Sequence, residues 1–512
     1  MSVPSWLRDA VIYNIYPQSF CDSNGDGIGD LNGIRAKLRH IAYMGYTAIW
    51  LNPVYESPFR DAGYDVTDFY KIAPRYGTNE DFRALCEEAH ACGLSVIMDL
   101  VAGHTALECE WFQQSARPER NEYSDRYIWT NSVWESGFRL IGGYSDRDGC
   151  YRTNFFYCQP ALNYGYKNIT KPWQLPMDHP ACMANRQELL NIMDFWSDLG
   201  CDGFRVDMAS SLVKDDPTGE GIRELWQDLR ARYKAKHPDG ALIAEWGSPK
   251  EAIAAGFDVD FMLHCTNKAY TTLFRHERGT NQSESWIGDS YFRPEGKGDF
   301  RAFLDIYQQH YDATRTQGLI ALPTGNHDMH RISMRRDTDD LKIAYTFLMT
   351  MPGVPFVYYG DEIGMEYLPL PSKEGAYNRT GSRTPMQWDD TKNKGFSTSD
   401  TPYLPVDDRP DAPTVAAQWA DPDSLMHYLR ALIARRRLTP DLVDNTKFEV
   451  LSDGYPLVYR RGKVTVIIQP KDAPAEVAVP GAVSLPLGLH ATLDGECVRL
   501  SGKGAAIVET NA

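Results

Sequence analysis

Residues 78–101, TNEDFRALCEEAHACGLSVIMDLV, contain a helix and the strand that follows it. Thr78 is a good N-cap, and Asp81 stands three residues on, where a side chain can return a bond to the cap. Phe82, Leu85, Cys86 and Ala89 then recur at helical spacing, and Gly93 stops the helix. The run LSVIMDLV is apolar without alternation and of strand length, which predicts burial on both faces. A second copy starts at Asn185, with Glu188 three on, passes through Leu189, Ile192, Trp196 and Leu199 to Gly200, and continues into GFRVDMA. An earlier copy is KLRHIAYMG, ending at Gly45, followed by TAIWLNPV. Repetition of helix, glycine and apolar strand implies parallel strands joined by helical crossovers.

Eight such apolar runs lie between residues 10 and 364: AVIYNIYP, TAIWLNPV, LSVIMDLV, GFRVDMA, ALIAEWG, FDVDFMLH, LIALPTGNHD and PFVYYGDEIG. Eight is the number that closes a (β/α)8 barrel. An open doubly wound sheet competes, but no GxGxxG turn follows the first run, and polar residues end nearly every run. In a barrel those ends converge on one face. The stretch from Gly103 to about Trp173, rich in Tyr, Trp, Asn and Gly, is far longer than an ordinary βα loop. After residue 440 short alternating runs take over (KFEVL, LVYRR, KVTVIIQP, AEVAV). The expected architecture is an α/β TIM barrel in two parts, 1–103 and 173–440. An inserted subdomain, 104–172, lies over its mouth, and an antiparallel β-domain, 441–512, follows.

The chain has 512 residues, 43% of them hydrophobic and 24% charged, an ordinary globular composition with ample material for a core. Aromatic residues reach 12%, which suits sugar faces and core packing alike. Lys plus Arg number 53 against 69 Asp plus Glu, a formal charge of −16 with no basic run, so nucleic acid and anionic membrane surfaces are disfavoured partners. The first residues, MSVPSWLRDAVIYNIYP, lack a signal-peptide pattern, and no apolar stretch approaches the roughly 18 residues of a membrane span. Ten cysteines without a CxxC pair read as reduced, buried thiols, and the expected location is cytoplasmic.

Asp207 closes the fourth run, with Arg205 two residues earlier and therefore on the same side of the strand. Glu245 closes the fifth and Asp328 the seventh. Three carboxylates beside one arginine are costly to ionise together, so one should keep its proton while the guanidinium holds another charged. A proton donor next to a carboxylate nucleophile is the equipment of a retaining glycosidase.

The loop DSNGDGIGD sets Asp22, Asn24, Asp26, the Ile28 carbonyl and Asp30 at the spacing of the first nine positions of an EF-hand loop, with Gly27 at the sharp turn. Alternating oxygen donors suit Ca2+, though Gly33 stands where an EF-hand ends in Glu.

These segments together resemble the α-amylase family of glycoside hydrolases (family 13), whose short motifs occur here in order as DLVAGH, QPALN, GFRVDMAS, IAEWG and GNHD. The resemblance covers nearly the whole chain. It implies Asp207 as nucleophile, Glu245 as general acid/base and Asp328 as stabiliser of the distorted sugar, with His104, Arg205 and His327 on the glucose of the first subsite. DAGYD, GDEIG and GSRTPMQWDD are similar to the oligo-1,6-glucosidase, α-glucosidase and trehalose synthase branch. In that branch Asp61 and Arg383 would close the pocket around the terminal glucose, Tyr64 would stack on its ring, and the DSNGDGIGD loop would hold a structural calcium.

The chain departs from the family pattern at Ala161, at Met208 after the nucleophile, at Trp246 after the acid/base and at Ala102–Gly103. Those departures leave the linkage open and predict an altered subsite shape. The leading expectation is a retaining α-glucosidase acting from the ends of short α-glucosides or α-gluco-oligosaccharides. A transglucosylase or glucoside isomerase, trehalose synthase-like, would use the same triad. Non-catalytic relatives that accompany amino-acid transporters combine a membrane span with incomplete acids, and this chain matches neither feature.

Overall fold

Eight parallel strands close on themselves in the computed structural model, which describes residues 3–131, 134–135, 139–262, 268–275, 289–375 and 377–511. They are β1 (Ile12–Ile15), β2 (Ala48–Leu51), β3 (Ser95–Leu100), β4 (Gly203–Val206), β5 (Ala241–Ala244), β6 (Val259–Phe261), β7 (Leu319–Pro323) and β8 (Val354–Tyr358). β1 pairs with both β2 and β8, so the sheet has no edge. All eight predicted runs supply a strand. Positions 263–264, the end of the sixth run, lie outside the described residues.

Alternation along each strand sorts the side chains. Trp50, Ile97, Ile243, Phe261 and Phe356 pack with one another in one buried cluster, and the intervening Ile49, Val96, Met98, Leu242 and Val357 join the larger cluster with the helices. The inward parity continues beyond the apolar layers: Trp50 leads to Asn52, Ile97 to Asp99, Arg205 to Asp207 and Ile243 to Glu245. Polar groups therefore crown the barrel at the carboxyl ends of its strands.

Helix α1 (Leu31–Met44) is capped by Asp30, and Gly45 (φ +98°) ends it. Helix α2 (Asn79–Ala91) forms as its sequence predicts. Thr78 and Asp81 exchange side-chain-to-backbone bonds in a capping box, and Phe82, Leu85, Cys86 and Ala89 are buried. Gly93, at φ +76°, closes it with the Leu94 N–H on Ala89 O, 2.9 Å. Helix α3 (Pro180–Asp198) corrects the expected start at Asn185: His179 is its N-cap and Pro180 its first residue. Asn185 instead lies buried inside the helix, where it accepts from Arg126 Nε (2.8 Å) and donates to the carbonyls of Arg126 (2.7 Å) and Asn163 (2.9 Å). Its cap-like chemistry is used to tie the helix to the segment that precedes it.

Residues 104–172 contain a three-stranded sheet (Trp129–Thr130, Leu140–Gly142, Cys150–Arg152), bridged to the third strand's loop by His104 with Ala161. From Glu449 to Thr510 the chain forms a six-stranded antiparallel sheet. Buried Arg461 from that sheet donates to the Thr350 carbonyl (2.5 Å) of a barrel helix, Thr338–Thr350.

Candidate active site

Register places the first contacts. Arg205 lies opposite Asp99 on β3 and opposite Ile243 on β5, so its side chain rises between the ends of both neighbours. Its Nη1 reaches Asp99 Oδ1 at 2.5 Å and Asp207 Oδ1 at 3.1 Å, and its Nη2 reaches Glu245 Oε1 at 2.9 Å. One buried guanidinium thus bridges three carboxylates, each through a charge-assisted bond. Burial raises the Asp207 pKa well above the usual carboxylate range, and the adjoining Glu245 carboxylate adds to this while Arg205 opposes it. Burial also lifts Asp99, to about 6, against the pull of Arg205.

Met208 follows the fourth strand with φ +44°, a left-handed conformation that a side chain of this kind rarely adopts. The twist aims its N–H at Glu245 Oε2, 2.9 Å, while the Ala209 N–H donates to the Glu245 carbonyl, 3.1 Å. Backbone strain after Asp207 thus fixes the orientation of Glu245.

A second set of ion pairs closes the other side. Asp61 was expected to meet Arg383; its partner is Arg379, whose Nη2 lies 2.5 Å from Asp61 Oδ1 and whose Nη1 lies 2.7 Å from Asp328 Oδ1. Arg383 instead donates through Nη2 to Asp328 Oδ1, 3.0 Å, and through Nε to the His327 carbonyl, 2.8 Å. Both arginines stand in the stretch NRTGSR, and the four-residue offset decides which one reaches across to Asp61. Gln159 completes the cradle by donating to Asp61 Oδ2 at 2.7 Å.

Tyr64 lies buried between the two sets, its hydroxyl donating to Asp99 Oδ2 at 3.1 Å and its ring stacked 5.2 Å from that of His327. His327 accepts from Asn52 at Nδ1 (3.0 Å) and turns Nε2 toward Asp328 Oδ2 (3.3 Å). His104 donates from Nε2 to the Tyr64 carbonyl (3.0 Å) and accepts at Nδ1 from Asn154 (3.2 Å). Burial depresses both imidazoles, His104 to about 4 and His327 to about 3, so both are neutral donors near pH 7. Gly103 explains one departure from the family pattern: a Cβ there would sit 2.6 Å from Asn154 Nδ2, the atom that reaches His104.

The DSNGDGIGD loop packs beside the barrel. Asp22 Oδ1 accepts the N–H groups of Asn24 (3.0 Å) and Gly25 (2.7 Å), and Oδ2 accepts that of Gly27 (2.8 Å). Asp26 accepts from Ile28 N–H (2.8 Å), and Asp30 from Gly33 N–H (2.7 Å). Gly27 needs its φ of +93°, and a Cβ would lie 2.7 Å from the Thr401 carbonyl. The donors are all hard oxygens, which fits a divalent cation of the Ca2+ type. Among the described residues no three His, Cys, Asp or Glu side chains converge as a ready-made metal cluster.

Sequence reasoning missed Asp99, Asn52, Arg379, Gln159 and Asn154. Asp99 and Asn52 had a signal, because each continues the inward parity of its strand. Gln159 and Asn154 come from the inserted segment, which has no strand periodicity to place them.

With this geometry in hand, the chain's relatives are informative. Residues 14–445 match the family described as alpha amylase, catalytic domain. The oligo-1,6-glucosidase of Parageobacillus thermoglucosidasius is 32% identical over 522 residues, covering 89% of this chain and 87% of that one. An alpha-glucosidase of Culex pipiens is 30% identical over 457 residues, covering 84% and 75%. The solved isomaltulose synthase variant of Erwinia rhapontici NX5 in complex with D-glucose superposes with a TM-score of 0.82 at 25% identity, each chain covered in full. With a family match across most of the chain and the carboxylates of its motifs gathered at one barrel mouth, the protein belongs to the α-amylase family and is a glycoside hydrolase.

Proposed function

We propose that the protein is a retaining, exo-acting α-glucosidase of short α-glucosides and α-gluco-oligosaccharides. The observation that carries this reading is the pair Asp207 and Glu245 held on one guanidinium, Arg205, opposite the Asp61–Arg379–Asp328 chain. Catalysis uses the form with a proton on Glu245 and with Asp207 charged against Arg205. Asp207 attacks the anomeric carbon, Glu245 protonates the departing oxygen, and a covalent glucosyl ester forms on Asp207. Water then attacks the same carbon, giving its proton to Glu245 and freeing Asp207. Neutral His327 and Arg205 hydrogen-bond the glucose hydroxyls, His104 joins them by exchanging its bond to Asn154 or to the Tyr64 carbonyl for one to the sugar, and Asp328 supports the distorted ring. The Asp61–Arg379 bond stands behind the terminal glucose, which favours release of single glucose units.

A second reading, transglucosylation or isomerisation of a glucoside, is supported by the likeness to the isomaltulose synthase. It needs the same ester and a sugar hydroxyl in place of water. Product analysis on maltose, isomaltose, sucrose, trehalose and kojibiose, with the anomeric proton followed by NMR, tests both. Glucose released with α-configuration supports the hydrolase, a new disaccharide as main product supports the second reading, and inverted β-glucose refutes both.

Asp22, Asn24, Asp26, Asp30 and the Ile28 carbonyl are proposed to hold one structural Ca2+, which supplies no step of the reaction. A cytoplasmic location is supported by the nine described cysteines, all unpaired thiols. No helix among the described residues is long and apolar enough to cross a membrane.

A further inference from the structure

Among the described residues Glu245 is held from one side. Its N–H donates to the Val206 carbonyl (3.0 Å), its carbonyl accepts from the Ala209 N–H (3.1 Å), and its carboxylate meets Arg205 Nη2 and the Met208 N–H, each at 2.9 Å. All four partners belong to β4 and the turn after it. On the β6 side the strand ladder stops one residue short of the acid: Ile243 lies opposite Val259 and Ala244 opposite Asp260, and no pair follows.

The Asp260 side chain takes over where that ladder ends. Val259 and Phe261 pack in the cluster inside the barrel, so Asp260 between them faces outward, under the turn that follows Glu245. Its Oδ1 accepts the N–H groups of Trp246 (3.0 Å) and Gly247 (3.3 Å), the two residues after the acid. Gly247 turns the chain there with φ +75°, a conformation that suits glycine. The Asp260 carboxyl is fully buried, no cation among the described residues pairs with it, and its Oδ2 has no hydrogen-bond partner. A carboxyl buried on these terms is a costly way to satisfy two N–H groups. The cost falls at the turn where the position of Glu245 is decided.

We propose that Asp260 is a positioning residue for the general acid: by holding Trp246 and Gly247 it fixes the end of β5 from the β6 side and sets the reach of Glu245 to the departing oxygen. The inference rests on the α-glucosidase reading and adds to it a residue that touches no substrate. A displacement of the acid by about 1 Å can cost on the order of 100-fold in rate.

The test uses the full chain and three donors: phenyl α-glucoside, para-nitrophenyl α-glucoside and α-glucosyl fluoride. In each, Asp207 attacks the anomeric carbon and the bond to the leaving atom breaks, its electron pair going with that atom. The phenyl oxygen takes the Glu245 proton as it leaves, the para-nitrophenyl oxygen depends on it less, and fluoride leaves as the ion. The quantity read is kcat/KM, which covers the steps up to the ester and excludes the later proton transfer from water.

Asp260→Ala should lower kcat/KM on phenyl α-glucoside about tenfold more than on α-glucosyl fluoride, with the para-nitrophenyl donor between them. Glu245→Gln should give the same order with a steeper slope. Asp260→Asn keeps an oxygen for both N–H groups and should restore the wild-type ratios. Asp260→Ser, whose shorter side chain draws the acceptor back, should show the bias in weaker form and serves where Asp260→Ala does not fold. A purely structural role predicts equal losses on all three donors, so equal losses, or a bias that Asp260→Asn shares with Asp260→Ala, overturn this inference. Failure of both the Ala and Ser variants to fold overturns it too, because Asp260 then serves stability alone. In each of those cases a biased Glu245→Gln leaves the α-glucosidase reading standing. An unbiased Glu245→Gln, or a wild type inactive on all three donors, overturns that reading and this one with it.

Discussion

Asp99 and Arg205 face each other on adjacent barrel strands, and Arg205 Nη1 approaches Asp99 Oδ1 at 2.5 Å with both side chains buried. Asp99 Oδ2 accepts from Trp50 Nε1 and from the Tyr64 hydroxyl, each at 3.1 Å, so this carboxylate positions the arginine that holds the catalytic pair. Asp99→Asn should leave a buried guanidinium underpaired and cost about 3 to 5 kcal/mol of stability. Urea unfolding reads that loss. The value of kcat/KM on an aryl α-glucoside should fall on the order of 100-fold, because Arg205 loses its anchor.

Asp207→Asn should abolish turnover of all substrates while the melting temperature stays near that of the wild type. Glu245→Gln should slow glucosides with poor leaving groups far more than activated aryl glucosides, because only the former need a proton at the leaving oxygen. Equal losses on both substrate types would argue against the acid role of Glu245.

Asp61→Ala and Arg379→Ala should each weaken transition-state binding by about 2 to 5 kcal/mol, the range for a desolvated charged contact. Their double variant should lose little more than either single one, since both break the same bond. Arg383→Ala should act through Asp328 and add to the Asp61 effect. On a maltoheptaose chain the first product of the wild type should be glucose alone; mid-length fragments would mean an open cleft.

Asp260 gives a pH signature. Its carboxyl is buried and accepts from the N–H groups of Trp246 (3.0 Å) and Gly247 (3.3 Å), and burial raises it to about 8 from an ordinary 3.8. Between those values the folded protein keeps a proton that the unfolded chain releases. Stability therefore falls as pH rises, by about 1.4 kcal/mol per unit, and levels off above about 8. Asp65 and Asp99, raised to about 6, add to the same trend at lower pH, so the difference between variant and wild type is the clean measure. Asp260→Asn should gain on the wild type between pH 5 and 8 in scanning calorimetry. Parallel curves would contradict the burial of a protonated carboxyl.

Removal of a divalent cation from the Asp22–Asp30 loop should lower the melting temperature, because an ion bound to the folded state alone adds RT ln(1 + [ion]/Kd). The kcat of protein that remains folded should change little. An unchanged melting point in a preparation shown by elemental analysis to have lost its metal would exclude the site.

Local order was legible where it depends on neighbours within a few residues. The Thr78–Asp81 box, the buried stripe of α2 and the eight apolar runs follow from helix and strand periodicity, and so does the shared face of Arg205 and Asp207. Asn185 misled because an amide with cap chemistry served a buried tie to Arg126 and Asn163 instead. Motif order marked the segments that crown the barrel, but it pointed to Arg383 where Arg379 makes the bond to Asp61.

The sequence by itself determined which segments form strands, that they are parallel and covered by helices, and which carboxylates end them, since all of these are set by side-chain period and short-range capping. Only the tertiary structure decided the partnerships. Asp61 and Arg379 are 318 residues apart, Asn52 and His327 are 275 apart, and Lys214 meets Asn154 across 60 residues. Such contacts depend on barrel closure and on the path of an insertion without periodicity. An error of one helical turn, or of one step in strand parity, is enough to exchange one arginine for another.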